Sequence, residues 1–349
     1  MVNRKGSTLV FCMIMVLLVS MLGMSCARQV PGPATPEQPT EVIEWTLESW
    51  TPPTSWQVPE LELACERVSQ RLDGRFVITP IWGGALGISG FDALAALSEG
   101  AFEMDFGPVS FWAADMPVLG VLGLPGLYAN RSEHKLAMDL LHEVISEQFD
   151  KQWKCKLIGE LSVMPPSLPF TKEPIREIQD FKGMTIRGYS PEIAAVVEAL
   201  GGISITLVWS EVYSAAQRGV MEGVITSPMG ARSTSFWEVF NYGTDMPFVA
   251  SNTALLVNNE AFEKLPAAYQ VVLIEEFTAA NTRLGYRGFQ SVEEDWAILE
   301  ANGLMRIIPG TDLFEGIVKA CDPVWDAWAQ ERGPLVVQAL EDVKTLLGR

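Results

Sequence analysis

The chain has 349 residues, of which 48% are hydrophobic and 19% are charged, and its formal net charge at pH 7 is −18. This length and composition support a large core, and two domains are expected rather than one. The acidic excess argues against nucleic acid as a partner, because affinity for nucleic acid comes from Lys and Arg contacts to phosphate. An acidic protein that binds an acid needs a local cation, so a well-placed arginine is informative here.

The N-terminus has the features of an export signal. Arg4 and Lys5 precede an apolar run at positions 9–22 that is too short and wrongly flanked for a membrane-spanning helix. We therefore predict a signal peptide over residues 1–25. The mature protein is expected in the periplasm or on the outer face of the cytoplasmic membrane.

The residues after the signal suggest an anchor and a tether. Cys26 follows small residues at the predicted cleavage point, which suggests a lipoprotein, although Gly23 stands where bacterial lipoproteins usually have leucine. Acylation of Cys26 would hold the protein at the membrane. Residues 26–42 are rich in proline and polar residues and are expected to form a tether.

From Ile43 onward, strand-like and helix-like segments alternate. Strands are predicted at "IEWTLESW", "RFVITPIW" and "CKLIGEL", and a helix begins at Ser132. This repeat predicts a parallel or mostly parallel sheet. The segment "MPPSLPFTKEP" predicts a loop where the chain crosses into a second domain.

The second half continues the alternation. Strands are predicted at "GMTIRG", "ISITLV" and "GVIT", with helices capped by Ser190 and Ser210. "TALLVNN" is expected to return to the first domain, and residues 266–302 predict one helix long enough to lie along both domains. The expected domain boundaries are 43–163 with 250–300 for domain I, and 164–249 with 301–349 for domain II.

Catalytic and metal-binding signatures are scarce. The only histidines, His134 and His142, lie on one predicted helix and are expected to be solvated or half-buried. The chain has no HExxH, GxSxG, P-loop or GxGxxG motif, and the glycines of "GGALGISG" favour a tight turn over a phosphate cradle. We predict no enzyme activity, no cofactor and no metal site.

Three cysteines remain beyond the predicted signal and anchor. Cys65, Cys155 and Cys321 form no CxxC pair and no Cys/His ligand spacing, so zinc and redox-motif readings fail. One disulfide with a free thiol, or three buried thiols, remain as alternatives.

Arg187 ends a predicted apolar strand, two residues before Tyr189 and three before a capped helix. This edge of an open α/β sheet is where small anions bind. The alternatives are a surface arginine, or an arginine that pairs with an acid such as Glu211. Tryptophans also cluster at predicted strand ends, where Trp50, Trp112 and Trp209 could line a pocket. Aromatic walls with one arginine suit a carboxylate that has an apolar or ring-bearing body.

The stretch "DFKGMTIRGYS…ALGGISITLVWSEVYSAAQRGVMEGVITSP" resembles the DctP-type solute-binding proteins of tripartite ATP-independent periplasmic (TRAP) transporters. Upstream, "GGALGISGFDALAALSEGAFEMDFG" and "GLPGLYANRSEH" are similar to other stretches of that family. The resemblance covers essentially all of the mature chain.

This resemblance implies an α/β, two-domain, periplasmic-binding-protein-like fold with a hinge, crossing strands and a long helix that spans both domains. It also implies capture of a small organic acid between the domains and delivery to an ion-driven TRAP membrane permease. The alternative is an extracytoplasmic ligand sensor, or an enzyme, on the same scaffold.

The resemblance assigns roles to single residues. The family arginine that grips the ligand carboxylate matches Arg187, and no second arginine precedes the "KEPI" segment, which favours a monocarboxylate. Thr226 and Ser227 stand where the family often has a ligand-contacting asparagine. The full predicted ligand-binding set is Arg187, Trp209, Trp50, Trp112, Tyr189, Thr226, Ser227, Glu211 and Tyr213.

Overall fold

The computed structural model describes residues 41–207 and 209–349. The predicted signal peptide, Cys26 and nearly all of the predicted tether lie outside these residues. Within the described ranges, no helix combines the length and the hydropathy that a membrane span requires.

The described residues form strands and helices in alternation. The strands are β1 (Ile43–Ser49), β2 (Phe76–Trp82), β3 (Met104–Pro108), β4 (Cys155–Leu157), β5 (Ser162–Thr171), β6 (Thr185–Gly188), β7 (Ile203–Thr206), β8 (Gly223–Thr226), β9 (Tyr242–Thr244), β10 (Val249–Asn258) and β11 (Met305–Ile307). The helices are α1 (Val58–Arg71), α2 (Ala93–Ser98), α3 (Val118–Val121), α4 (Arg131–Trp153), α5 (Pro191–Ala199), α6 (Trp209–Gln217), α7 (Pro228–Ser233), α8 (Asn259–Lys264), α9 (Ala267–Ala301), α10 (Thr311–Arg332) and α11 (Pro334–Leu347).

The strands pair in the order β2–β1–β3–β10–β5–β8–β6–β7. β1 runs parallel to β2 and β3, and β6 runs parallel to β7 and β8. The long strands β5 and β10 lie between these two parallel groups and are antiparallel to each other. The sheet is therefore mixed rather than mostly parallel, and the expected α/β class and crossing strands are confirmed.

The proline-rich segment that was predicted as a loop is most of strand β5. Its register against β10 passes from Met164 opposite Ser251 to Ser167 opposite Val249, so β5 carries one extra residue there. Pro165 and Pro166 lie in this bulge. Proline has no N–H for a sheet ladder, but a bulge leaves residues unpaired and tolerates it. The loop prediction was wrong for this reason.

Helix α9 is 35 residues long and runs beside both parallel groups, as predicted. At 1.5 Å per residue it extends about 50 Å. At its middle, Arg283 pairs with Glu60 of α1 through atoms 2.6 Å apart. Near its end, Asp295 pairs with Arg232 of α7, also at 2.6 Å. One rigid element thus contacts both halves of the molecule.

The C-terminal helices contact segments of both predicted domains. Helix α10 packs against α5, and α11 packs against α3 and α4. Because these helices contact segments of both predicted domains, their contacts do not assign them to one domain. The predicted boundary at residue 301 therefore stays a prediction.

Two sequence expectations about titratable side chains are decided by burial. All three cysteines in the described residues are free and buried, and burial raises the pKa of each thiol to about 12. His134 is only 2% exposed and packs on the Tyr128 ring, with the ring centres 4.9 Å apart. Burial lowers the pKa of His134 to about 4. The expectation of a solvated or half-buried side chain was wrong for His134.

Candidate ligand-binding site

Arg187 lies in the middle of the second parallel group. It is the third residue of β6, in register with Ile205 of β7 and Val224 of β8. The side chain is 6% exposed. The guanidinium bonds to Leu207, the residue after the end of β7, so it lies at the carboxyl end of these parallel strands. This is the edge where open parallel sheets bind ligands.

The Arg187 guanidinium has a backbone partner and aromatic neighbours. Its Nε and Nη2 both donate to the carbonyl oxygen of Leu207, at 3.2 and 2.9 Å. The ring centre of Trp209 lies 5.6 Å from the guanidinium carbon and that of Tyr189 lies 5.9 Å away. Both distances are within the range of a cation–π interaction.

No acid compensates this cation within the described part of the chain. Ion pairs form elsewhere on the surface, but none includes Arg187, and Glu211 is exposed without pairing to it. Burial lowers the pKa of Arg187. A buried charge without a counter-charge is costly. The structure therefore gives no support to the alternative in which Arg187 braces the domain through Glu211.

The bonding of Arg187 leaves part of the guanidinium unused. Of its five N–H groups, Leu207 occupies the one on Nε and one on Nη2. The edge formed by Nη1 and the second N–H of Nη2 remains. That edge can hold a carboxylate through two parallel hydrogen bonds.

Three other predicted residues lie around this group. The Tyr189 hydroxyl is 3.2 Å from Ser167 Oγ, which links the end of β6 to crossing strand β5. Trp209 packs on Phe236, with ring centres 5.7 Å apart. A Cβ at Gly230 would lie 3.5 Å from the Trp209 ring and 2.5 Å from Thr226 Oγ1, so the absence of a side chain there allows both residues to approach.

Ser227 has a structural partner of its own. Its Oγ accepts the backbone N–H of Gly230 at 3.2 Å and caps helix α7. The hydroxyl proton of Ser227 remains able to donate a further hydrogen bond.

The remaining predicted residues are not joined to Arg187. Trp112 is fully buried and packs edge-on against Phe149, with ring centres 6.0 Å apart, so its prediction as a wall of the open cleft is corrected. The Tyr213 hydroxyl donates to Glu238. Trp112 follows a strand end, but the short helical turn after β3 folds its indole inward.

Trp50 belongs to a second aromatic group at the end of β1. It is 42% exposed, and its Nε1 donates to the carbonyl oxygen of Ile88 at 2.7 Å. A Cβ at Gly90 would lie 2.6 Å from the Phe111 ring and 3.1 Å from Trp50. The glycines of "GGALGISG" therefore allow close approach of aromatic rings. This agrees with a turn rather than a phosphate cradle.

Several contributors to the site carried no readable signal. The Leu207 carbonyl is backbone and has no sequence signature. Ser167 lies in the segment that its prolines made look like a loop. The glycine at position 230 follows a capping serine and a proline, which together predict a helix start but not a contact with Trp209.

Comparison with known proteins agrees with this architecture. A family model described as "Bacterial extracellular solute-binding protein, family 7" (DctP) matches residues 48–331. A solute-binding protein of Roseobacter denitrificans is 26% identical, over 81% of this chain and 86% of the relative. The C4-dicarboxylate-binding periplasmic protein DctP of Rhodobacter capsulatus is 30% identical, over 60% of this chain and 62% of the relative.

Solved structures share the fold. A TRAP periplasmic solute-binding protein from Ochrobactrum anthropi superposes with a TM-score of 0.81 at 17% identity, over 88% of this chain and 97% of that one. The pyroglutamic-acid-binding receptor DctP7 of Bordetella pertussis gives a TM-score of 0.73 at 20% identity, over 86% of this chain and 99% of that one.

The α/β fold, with crossing strands and one long helix, is the fold of these solved TRAP solute-binding proteins. The chain belongs to the bacterial extracellular solute-binding protein family 7, the DctP family. Proteins of this class bind small solutes and work with a membrane permease.

Proposed function

We propose that this protein captures a small monocarboxylate with an apolar or aromatic body and delivers it to a TRAP-type ion-driven membrane permease. The observation that carries the proposal is Arg187, a buried cation between two aromatic rings that has no acidic partner in the described residues. A carboxylate would supply the missing charge.

The roles of the surrounding residues follow from their chemistry. Arg187 would hold the carboxylate through its unused edge, and the rings of Tyr189 and Trp209 would cover the ligand body. Thr226 and Ser227 would offer hydroxyl groups to polar atoms of the ligand. Trp50, partly exposed on the other parallel group, would close over the ligand from the opposite side.

The ligands of structural neighbours are compatible with this class. One neighbour from Desulfovibrio salexigens has bound orotic acid, and DctP7 binds pyroglutamic acid. Both ligands carry a single carboxylate on a ring. Other relatives bind ectoine, C4-dicarboxylates or sn-glycerol-3-phosphate, so the family itself does not decide the ligand. Arg187 is the one buried arginine among residues 41–207 and 209–349, and a single buried cation favours one carboxylate.

A thermal-shift screen tests the ligand class. The panel contains pyroglutamate, orotate, phenylacetate, succinate, ectoine and sn-glycerol-3-phosphate. Because a ligand that binds only the folded state stabilises it by about 2.7 kcal/mol at a hundred times its Kd, binding raises the Tm. We expect the largest shift from a ring-bearing monocarboxylate. A larger shift from succinate or from sn-glycerol-3-phosphate would overturn the proposed class.

The same incubation separates binding from conversion. After overnight contact with the best ligand, we expect chromatography to return that ligand chemically unchanged and in full amount. Loss of ligand together with a new product would favour the enzyme alternative.

We also propose export and lipid anchoring at Cys26, which lies outside the described residues. In the producing cell, labelled palmitate should enter the wild-type protein and should be absent from Cys26→Ser. Unlabelled wild-type protein would exclude the anchor and would leave export untouched.

A further inference from the structure

A cavity of about 320 Å³ lies beside the bulge of β5, away from Arg187. Its walls come from the start of α4, from β5 at Pro165 and Pro166, from the middle of α9 and from the segments around Asp245 and Arg306. Arg187, Tyr189, Trp209 and Thr226 do not line it. This volume is within the range of small-molecule sites.

The charges on one side of the cavity cancel each other. Arg306 donates to Asp245 through Nε at 2.8 Å and to Glu293 through Nη1 at 2.8 Å. Two carboxylates thus share one guanidinium, and this side has no positive charge to spare. A second anionic group on a ligand would meet Asp245 and Glu293.

The other side holds a cation without an acidic partner. The Arg131 Nη2 donates to the Gly285 carbonyl oxygen at 2.6 Å, and the guanidinium lies 5.9 Å from the Phe289 ring centre. No ion pair in the described residues includes Arg131. Burial lowers the pKa of Arg131, which agrees with a partly desolvated and uncompensated charge. The nearby His134 is neutral at pH 7 and adds no second positive charge beside Arg131.

The wall between these two sides is apolar. Phe289 is 55% exposed, although it lies in the centre of a long helix that packs on both halves of the molecule. Val292, Ala250 and the two prolines of the β5 bulge continue this surface. Together these residues form a contiguous exposed apolar surface, and such surfaces are typical of ligand-binding grooves.

We propose that this cavity is a second binding site, for a small amphipathic anion. The single anionic group would pair with Arg131, and the apolar body would cover Phe289 and the β5 prolines. The site differs from the proposed solute site in every lining residue named above, so either site can exist without the other.

The experiment uses a pair of fluorescent probes that differ in one charge. 8-Anilinonaphthalene-1-sulfonate has an aromatic body and one sulfonate, and N-phenyl-1-naphthylamine has the same body without the sulfonate. Both are titrated into the wild-type protein. We expect saturable binding of the sulfonate, at least tenfold tighter than binding of the neutral amine. Equal affinities, or no saturable binding, would overturn the proposal without any mutation.

Variants then locate the probe. Arg131→Gln and Phe289→Ser should each weaken sulfonate binding at least fivefold. Arg287→Gln serves as the matched control. Arg287 lies on the same helix as Phe289, pairs with Glu294 and does not line the cavity. It should leave the affinity unchanged, as should Arg187→Gln. Weakening by Arg187→Gln but not by Arg131→Gln would place the dye in the solute site and overturn the second site.

Discussion

Arg187 is a buried cation whose backbone partner satisfies only one of its edges. We expect Arg187→Ala to weaken binding of the best monocarboxylate more than about tenfold, since hydrogen bonds to charged groups contribute about 1.5–3 kcal/mol. Arg187→Lys should not restore affinity, because an ammonium lacks the planar fork. Calorimetric titration of the folded variants measures both effects.

The control for this prediction is Arg218→Ala, which removes an exposed arginine near the end of α6. Its affinity should equal that of the wild type. If Arg187→Ala keeps wild-type affinity and loses only melting temperature, Arg187 is structural and leaves the proposed site.

The first parallel group, which is formed by β1, β2 and β3, contains a buried pair of carboxyl groups. Glu48 of β1 and Asp105 of β3 are in register and almost completely buried. Both Glu48 oxygens and Asp105 Oδ2 lack a hydrogen-bond donor from the protein. Burial raises the pKa of both, and for Asp105 the neighbouring Glu48 charge raises it further. We infer that the pair holds a shared proton.

This pair predicts a pH dependence of stability. Because the folded-state pKa of Asp105 is raised, its contribution to stability is fully present below its unfolded pKa of about 4 and is lost as pH rises through the folded value. Asp105→Asn provides an N–H donor at every pH. Its Tm should therefore exceed that of the wild type at pH 8, and the difference should shrink toward pH 4.

Thermal unfolding at several pH values checks this, with Asp115→Asn as the control at an exposed aspartate. The control should follow the wild-type curve. A Tm for Asp105→Asn that is lower than that of the wild type at pH 8 would contradict the shared proton.

At this scale the sequence predicted the place of some side chains in the fold and missed that of others for physical reasons. Arg187 was predictable because a charge that ends an apolar strand is held at the sheet edge. Trp112 and His134 were placed wrongly, since the direction of a side chain depends on the chain turn or partner strand against which it packs. No pattern within the sequence encodes the Leu207 carbonyl as a partner.

At the scale of elements, β9, which pairs with β5 and β11, lies in a tightly packed part of the sheet. A Cβ at Gly243 would lie 2.5 Å from the Trp296 ring and 2.8 Å from the Phe170 ring, and both rings are fully buried. Overpacking of this kind typically costs 1–3 kcal/mol. We expect Gly243→Ala to lower the free energy of unfolding by about this amount, measured by urea denaturation.

Gly123→Ala is the matched control for this substitution. A Cβ at Gly123 would meet its nearest atoms at 3.8 and 3.9 Å, which is ordinary van der Waals contact. Its stability should stay within about 0.5 kcal/mol of the wild type. Equal stabilities for the two variants would show that β9 can move away from the Trp296 ring.

Element prediction succeeded where local signals agree with packing. Helix α9 and the Ser190 cap, whose Oγ accepts the Ile193 N–H at 3.4 Å, are as expected. Ser210 was expected to cap the next helix, but α6 is described from Trp209 and Ser210 lies within it. Strand β5 was missed because its sequence contains prolines. It is a strand because it pairs with antiparallel strands that lie far along the chain.

At the scale of the whole molecule, ligand capture predicts a change of shape. Arg187 and Trp50 lie on different parallel groups, and the strands β5 and β10 and helix α9 connect these groups. The bulge at Pro165 and Pro166 lacks ladder hydrogen bonds, so the crossing can bend there at low cost. A ligand that contacts both groups only when they close stabilises the closed form.

We therefore expect small-angle X-ray scattering to show a smaller radius of gyration when the best monocarboxylate saturates the protein. Arg187→Ala at the same ligand concentration should keep the radius of the ligand-free wild type, because the differential contact that drives closure is lost. Compaction of Arg187→Ala equal to that of the wild type would mean that the anchor lies elsewhere. An unchanged radius for the saturated wild type would mean that the site is already closed before the ligand arrives, with the Pro165–Pro166 bulge serving the strand geometry alone.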